Sequence, residues 1–332
     1  MKELFPLLKK GSRSAFLASV VNAAVAIIKL IAYLYTGNIA MFAETMHSLG
    51  DTANQLFVFV GSALSKKPPT NRFPDGFGRL VNLVLLGAVL IVGIMSFETV
   101  KEGFQHIFHP TQSAGFYINI SVLAAATLLE SFVLSKAMRE IIHEAGVETK
   151  GMRIFIESIK NIKVAKPATK LVFLEDTVST SGGLLAIISI IISHFTAFHQ
   201  AEGIASALIG FMMFVVVGKV FMDNAAGVLG ESHEEMEEKI GGLLIDDPDV
   251  SDIQELRVFK EGEALHVELE IEVDPKLTIE EADDIRDRLE DKIMKERSVT
   301  DVIIEFDEDD GVQKWKVDKA DKTQKTLTAA KK

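Results

Sequence analysis

Residues 39–64 are mostly apolar, yet Glu44, His47, Asp51 and Asn54 interrupt them. His47 and Asp51 are four apart, so in a helix they share one face, one turn apart. Glu44 and Asn54 fall at the edges of that face. An imidazole and a carboxylate at this spacing can chelate one ion without bending the helix. A second apolar stretch, LVFLEDTVST (171–180), carries Glu175, Asp176 and Thr180. Asp176 is the natural third ligand. A neutral imidazole with two carboxylates is balanced by one divalent cation, and that balance lets a metal sit in a low-dielectric interior. The same His–Asp pair could instead make a structural hydrogen bond, or pass protons without metal. With no cysteine in the chain, disulfides and thiolate metal sites are excluded. Nitrogen and oxygen ligands suit divalent cations rather than Cu(I).

Such residues need helices to carry them across a membrane. The 332 residues are 48% hydrophobic, and the apolar ones concentrate before about residue 225. Six candidate spans lie at 14–36, 39–64, 80–105, 114–138, 169–195 and 203–224. Each can cross a ~30 Å hydrocarbon core as a helix. Ionisable groups inside such spans are costly, so their presence marks function. Lys9, Lys10 and Arg13 precede span one; Lys66, Lys67, Arg72 and Arg79 separate spans two and three. Lys136, Arg139, Lys150, Arg153, Lys160, Lys163, Lys166 and Lys170 separate spans four and five. The alternate loops are nearly free of Lys and Arg, with Lys101 alone near the end of span three. The positive-inside rule then predicts that both termini are cytoplasmic. The N-terminus reads as neither a signal nor a transit peptide.

The formal net charge of −12 conceals a division. Residues 1–225 carry a net +4, 226–310 a net −21 and 311–332 a net +5. Phosphate would repel so acidic a soluble part, so nucleic acid is not an expected partner. Such a surface could concentrate cations, or serve solubility alone. Within it, 254–259 and 264–273 read as strands. In the second, Leu265, Val267, Leu269, Ile271 and Val273 alternate with His266, Glu268, Glu270 and Glu272. Thr278, Glu280 and Glu281 open a helix reaching about Arg297, with the stripe Ala282, Ile285, Leu289 and Ile293. A first helix at 234–244 and a last strand at 300–306 complete an αββαβ order. The expected organisation is therefore an α-helical membrane protein of six transmembrane helices (1–225), a small cytoplasmic α+β domain (226–310) and a disordered tail (311–332).

Several segments carry a resemblance to a known family. AETMHSLGDTANQ (43–55) resembles the second-span signature of the cation diffusion facilitators. FPDGFGR (73–79) resembles their cytoplasmic turn, and LEDTVSTSGG (174–183) their fifth-span signature. EGIAS (202–206) and VLGES (228–232) resemble the start of span six and the exit from it. The motifs stand in family order over about 14–308, and their wording is most similar to the branch that includes the mitochondrial zinc transporter. The resemblance implies a transport site at His47, Asp51 and Asp176. The family's remaining histidine position is Val172, which cannot bind metal. Water, Thr180 or Glu175 could fill the fourth place. Glu175 sits ~100° around the helix from Asp176, so it is expected to need a bent or unwound segment. One histidine with two carboxylates tolerates Mn(II), Fe(II) or Co(II) beside Zn(II). The family's second metal site falls on Phe73 and Phe77 and is expected to be absent. In the C-terminal domain His233, His266 and 307–310 are the candidates for metal, against a solvated acidic face.

The resemblance implies a homodimeric secondary transporter that exports divalent metal, zinc first, from the cytoplasm in exchange for protons. The metal is then substrate and no cofactor is expected. A prokaryotic cytoplasmic membrane is the expected location. A non-transporting metal-binding partner or sensor is the alternative. A membrane-embedded metal hydrolase, with Glu175 as its base, is a third reading. No nucleophile–base pair or nucleotide-binding loop supports an enzyme. Glu130, Glu44 and Asn54 are further candidates for metal or proton relay, and Lys29 either snorkels or pairs with an acid such as Glu130. His106, His109, His194 and His199 cluster at the non-cytoplasmic ends of spans and are expected to be interfacial. Glu202 is expected at the mouth of span six.

Overall fold

The computed structural model describes residues 4–315, apart from 75, 148, 150, 152, 163–166 and 263. The elements run α1 (Leu4–Leu8), α2 (Arg13–Thr36), α3 (Ile39–Leu64), α4 (Leu80–Phe108) and α5 (Phe116–Glu144). They continue with α6 (Arg153–Asn161), α7 (Pro167–Phe195), α8 (Gln200–Leu229) and α9 (Glu234–Ile245). The chain closes with β1 (Asp252–Glu261), β2 (Ala264–Val273), α10 (Ile279–Ile293) and β3 (Val299–Glu308).

Among the described residues, five helices are long and apolar enough to cross a membrane: Arg13–Thr36, Leu80–Phe108, Phe116–Glu144, Val172–Phe195 and Gln200–Leu229. α3, at 26 residues, is also long enough to cross and is the candidate sixth span; Glu44, His47, Asp51 and Asn54 interrupt its apolar run. Local chemistry sets the breaks. Ser12 caps α2 by accepting from the Ala15 amide, and α2 ends at left-handed Gly37. Asn38 then caps α3 by accepting from the Met41 amide at 2.9 Å, so two residues suffice to reverse the chain. α2 packs along α3 and α5 along α7, and α2 on α5 and α3 on α7 tie the pairs together. α4 and α8 cross at Gly103 and Gly203, where an added Cβ would lie 2.6–2.9 Å from the facing backbone. Small residues permit that close approach without water-driven packing.

A second compact unit comprises the described chain from Ala226 to Trp315, together with the loop Pro68–Leu80. Its sheet runs β1-β2-β3, with β1–β2 antiparallel and β2–β3 parallel. The alternating residues of β2 are all buried, between 0% and 6% exposed. They pack against Ile285, Leu289 and Ile293 of α10 and Ile240 and Leu244 of α9. Thr278 and Glu281 form a reciprocal capping box at the start of α10.

Three features depart from the sequence reading. α6 is a short helix inside the basic loop, with Phe155, Ile156 and Ile159 exposed. The expected disordered tail begins at Gly311, but Trp315 packs on the domain core, and Gly241 leaves room for its ring. The rest of that tail, from 316, lies outside the described residues. Finally, the 68–80 loop sits with the C-terminal unit: Arg79 lies 3.9 Å from Glu261 and stacks over Phe259.

Candidate metal site

α3 carries His47 and Asp51 on one face, with Nε2 of His47 3.6 Å from Oδ2 of Asp51. His47 is 7% exposed, and its Nε2 is buried without a hydrogen-bond partner. Beside the pair opens a cavity of about 540 Å³ between α2, α3, α5 and α7. Asp51, Glu130, Glu175 and Asp176 all line it. Oδ2 of Asp176 and Oε2 of Glu130 are buried and unpartnered. Carboxylate oxygens left unpaired in a low-dielectric interior are strongly disfavoured unless a cation or proton meets them. Ser48, Gln55, Asn22 and Ser179 add neutral polar groups to the wall.

Glu175 faces the cavity from an unbroken helix, since α7 is continuous from Pro167 to Phe195. Glu175 thus reaches the cavity wall without a bend, while its joining Asp176 on one ion is a separate matter. The cavity is wide enough to receive both Glu175 and Asp176, although they project ~100° apart. Thr180 and Asn54 are not among its lining residues; Ser179 and Gln55 are. Thr180 is buried, with its hydroxyl unpartnered. Val172 lines the cavity and is 44% exposed. Among the described residues, no three His, Asp or Glu side chains are closed around a common point in this conformation.

Lys29 is 0% exposed, so it does not snorkel. It donates to Glu44 Oε2 at 2.8 Å and to Glu130 Oε1 at 3.2 Å. Glu44 is thus committed to the lysine, and it is not among the residues lining the cavity. Gly182 of α7 accommodates it: a Cβ there would lie 2.7 Å from Glu44 Oε1. The Lys29–Glu44 pairing was legible only through charge balance, because a lysine within one span must meet acids from others.

The remaining candidates are not among the residues lining the cavity. Phe73 and Phe77 pack ring on ring at 5.1 Å. His233 caps α9 by accepting from the Met236 amide at 3.2 Å. His266 has Nε2 2.5 Å from Glu261 and Nδ1 3.3 Å from Asp301, so its two nitrogens face opposite carboxylates rather than one ion. His143 is exposed.

Family comparison agrees with this architecture. Residues 15–228 match the cation efflux transmembrane domain, and 232–309 match the cation efflux protein cytoplasmic domain. The proton-coupled zinc antiporter SLC30A9, mitochondrial, of Mus musculus is 26% identical over 77% of this chain and 44% of its own. This chain therefore spans under half the length of that relative. The uncharacterized transporter YdbO of Bacillus subtilis is 23% identical over 91% of this chain and 97% of its own. The cation-efflux pump FieF of Shigella flexneri is 20% identical over 89% and 92%. Six spans bearing intramembrane acids, followed by an αββαβ domain, thus have one assignment: the chain belongs to the cation efflux family, the cation diffusion facilitators, whose members are transporters and not enzymes.

Proposed function

We propose that this protein is a secondary transporter that exports divalent metal, zinc first, from the cytoplasm in exchange for protons. The observation that carries the reading is the convergence of Asp51, Asp176, Glu175 and Glu130 on one cavity, beside the buried His47. His47, Asp51 and Asp176 are the proposed ligands. Glu175 or water supplies the fourth position that Val172 leaves open. Lys29 balances Glu130, but among the described residues Asp51, Glu175 and Asp176 have no such lysine, and charges left empty there are disfavoured; protons or metal would relieve them. Ligand lone pairs serve one or the other, and metal binding releases protons. That competition is the elementary basis of antiport. Proton coupling in the mouse relative, as its name states it, supports the same reading. With one imidazole and several carboxylates, the site should also accept Mn(II), Fe(II) or Co(II). A homodimer in a prokaryotic cytoplasmic membrane, with both termini inside, completes the proposal.

One observation favours a second reading. Val172 stands on the cavity wall where the family resemblance calls for histidine. A site short of one ligand could bind without transporting, as a sensor or partner would.

The test is Zn(II) and Mn(II) uptake by proteoliposomes under an imposed pH gradient, beside Asp51→Ala. Expected is gradient-dependent flux that the substitution lowers by at least about tenfold, as loss of a metal-site group does. Flux indifferent to either the gradient or Asp51 overturns the proposal. Asp51-dependent binding without flux moves the assignment to the sensor reading.

A further inference from the structure

A second polar cavity, about 310 Å³, opens at the opposite end of the spans from the basic loops. Glu202, His199, His194, Ser113, Ser193 and Gln112 are on its wall. Glu202 is 1% exposed, yet only one of its carboxylate oxygens is answered: Oε1 accepts from Ser113 at 3.0 Å, while Oε2 is buried and unpartnered. The carboxylate is held in place. Asn38 donates to Ser113 at 3.0 Å, and its other end caps α3. Ser193, Asn38 and His199 also stand close to Glu202, although no donor reaches Oε2. Across the cavity His199 has Nδ1 3.4 Å from Ser193 and Nε2 3.5 Å from Gln112. Both contacts are long and made with neutral groups that can yield to a stronger partner. His194 is stacked on Phe116 at 4.1 Å, which leaves His199 as the freer imidazole.

A buried carboxylate with one oxygen outside hydrogen-bond reach of any donor, beside an imidazole and hydroxyls, has the chemistry of an oxygen–nitrogen cation site. We propose that Glu202 and His199 form a second divalent-cation site at the outer end of the spans, completed by Ser113, Ser193 or water. It has fewer charged groups than the cavity at Asp51. Its affinity is accordingly weaker than that of the inner site. As a binding site it stands apart from the transport reading.

The test removes the inner site. In purified Asp51→Ala protein, diethyl pyrocarbonate modification of each histidine is followed by mass spectrometry as Zn(II) is added. His143, exposed and distant in sequence, is the internal control. Zn(II) should protect His199, and the half-protecting concentration should rise by about tenfold or more in Asp51→Ala/Glu202→Gln. Glu202→Asp, which keeps the charge, should lie between the two and guards against a variant that fails to fold. No protection of His199, or protection indifferent to Glu202, overturns the proposal. Since nothing need be transported, a failure of flux and a failure of this site are read separately.

Discussion

Two regions of this molecule gather carboxylates, and they treat them differently. In the membrane unit Glu44, Asp51, Glu130, Glu175 and Asp176 lie near one another with a single buried lysine, Lys29, among the described residues. In the C-terminal domain 30 acidic residues face 9 Lys and Arg, and most of them are on the surface. The same side chain means different things in the two places. Water screens a surface carboxylate, so its removal changes little. A carboxylate inside the spans must find a cation, a proton or a donor. Position relative to solvent, and not acidity, identifies the groups that do work.

The sharpest way to break this comparison is to remove the buried cation. Lys29→Met strands Glu44 and Glu130 together, and loss of one partner from a buried ion pair costs about 3–5 kcal/mol. Thermal unfolding in detergent should show a large loss of stability, partly restored in Lys29→Met/Glu44→Gln. A Lys29→Met protein as stable as the parent would mean that the acids are neutral without it, and the contrast between the regions would fall.

An intermediate case lies within the C-terminal domain itself. Asp247 is an exception there, with its side chain 2% exposed and Arg288 bonded to both of its oxygens. Those hydrogen bonds hold its carboxyl below its ordinary value of 3.8. A depressed folded value contributes stability above the ordinary value and loses it as pH falls through the folded one. Arg288 is 43% exposed, so solvent weakens the pair. Asp247→Asn should cost ~1–2 kcal/mol near neutrality and less below about pH 3. The chain has one tryptophan, Trp315, packed on this domain's core, and its fluorescence reports the transition in the intact protein. A cost that stays constant down to strong acid would deny the pairing its role.

How much of this was legible in the sequence follows the same division. The six long helices were readable because span length and apolar content are set by membrane thickness. β2 was readable because one buried face imposes strict alternation, and α10 because Thr278 and Glu281 announce its start. α6 was hidden by its brevity and by the charges around it. The attachment of Pro68–Leu80 to the C-terminal unit rests on Arg79 meeting Glu261 and Phe259, a contact between distant segments that no local pattern encodes. At the site, helical spacing put His47 and Asp51 together, as observed. It could not tell that Glu175 reaches the cavity, or that Gln55 lines it in place of Asn54. Those depend on how far neighbouring helices stand apart.

The smallest expected effect sharpens the comparison from its quiet side. Thr278 accepts from the Glu281 amide at 3.2 Å, while the Thr278 amide donates to Glu281 Oε2 at 2.8 Å. Thr278→Ala removes one half of that exchange and should cost about 1 kcal/mol. Glu268, on the polar face of β2, has only a 4.0 Å contact with Arg257, and Glu268→Gln should fall within about 0.5 kcal/mol of the parent. Urea midpoints from Trp315 fluorescence would order the two. If Glu268→Gln costs as much as the lost cap, the acidic face is not merely solvated, and its charges are organised for a partner. If instead the substitution stabilises, mutual repulsion among the domain's acids outweighs the weak pair with Arg257. That is the result expected of charges kept for solubility, and it would leave the acids within the spans as the ones that bind.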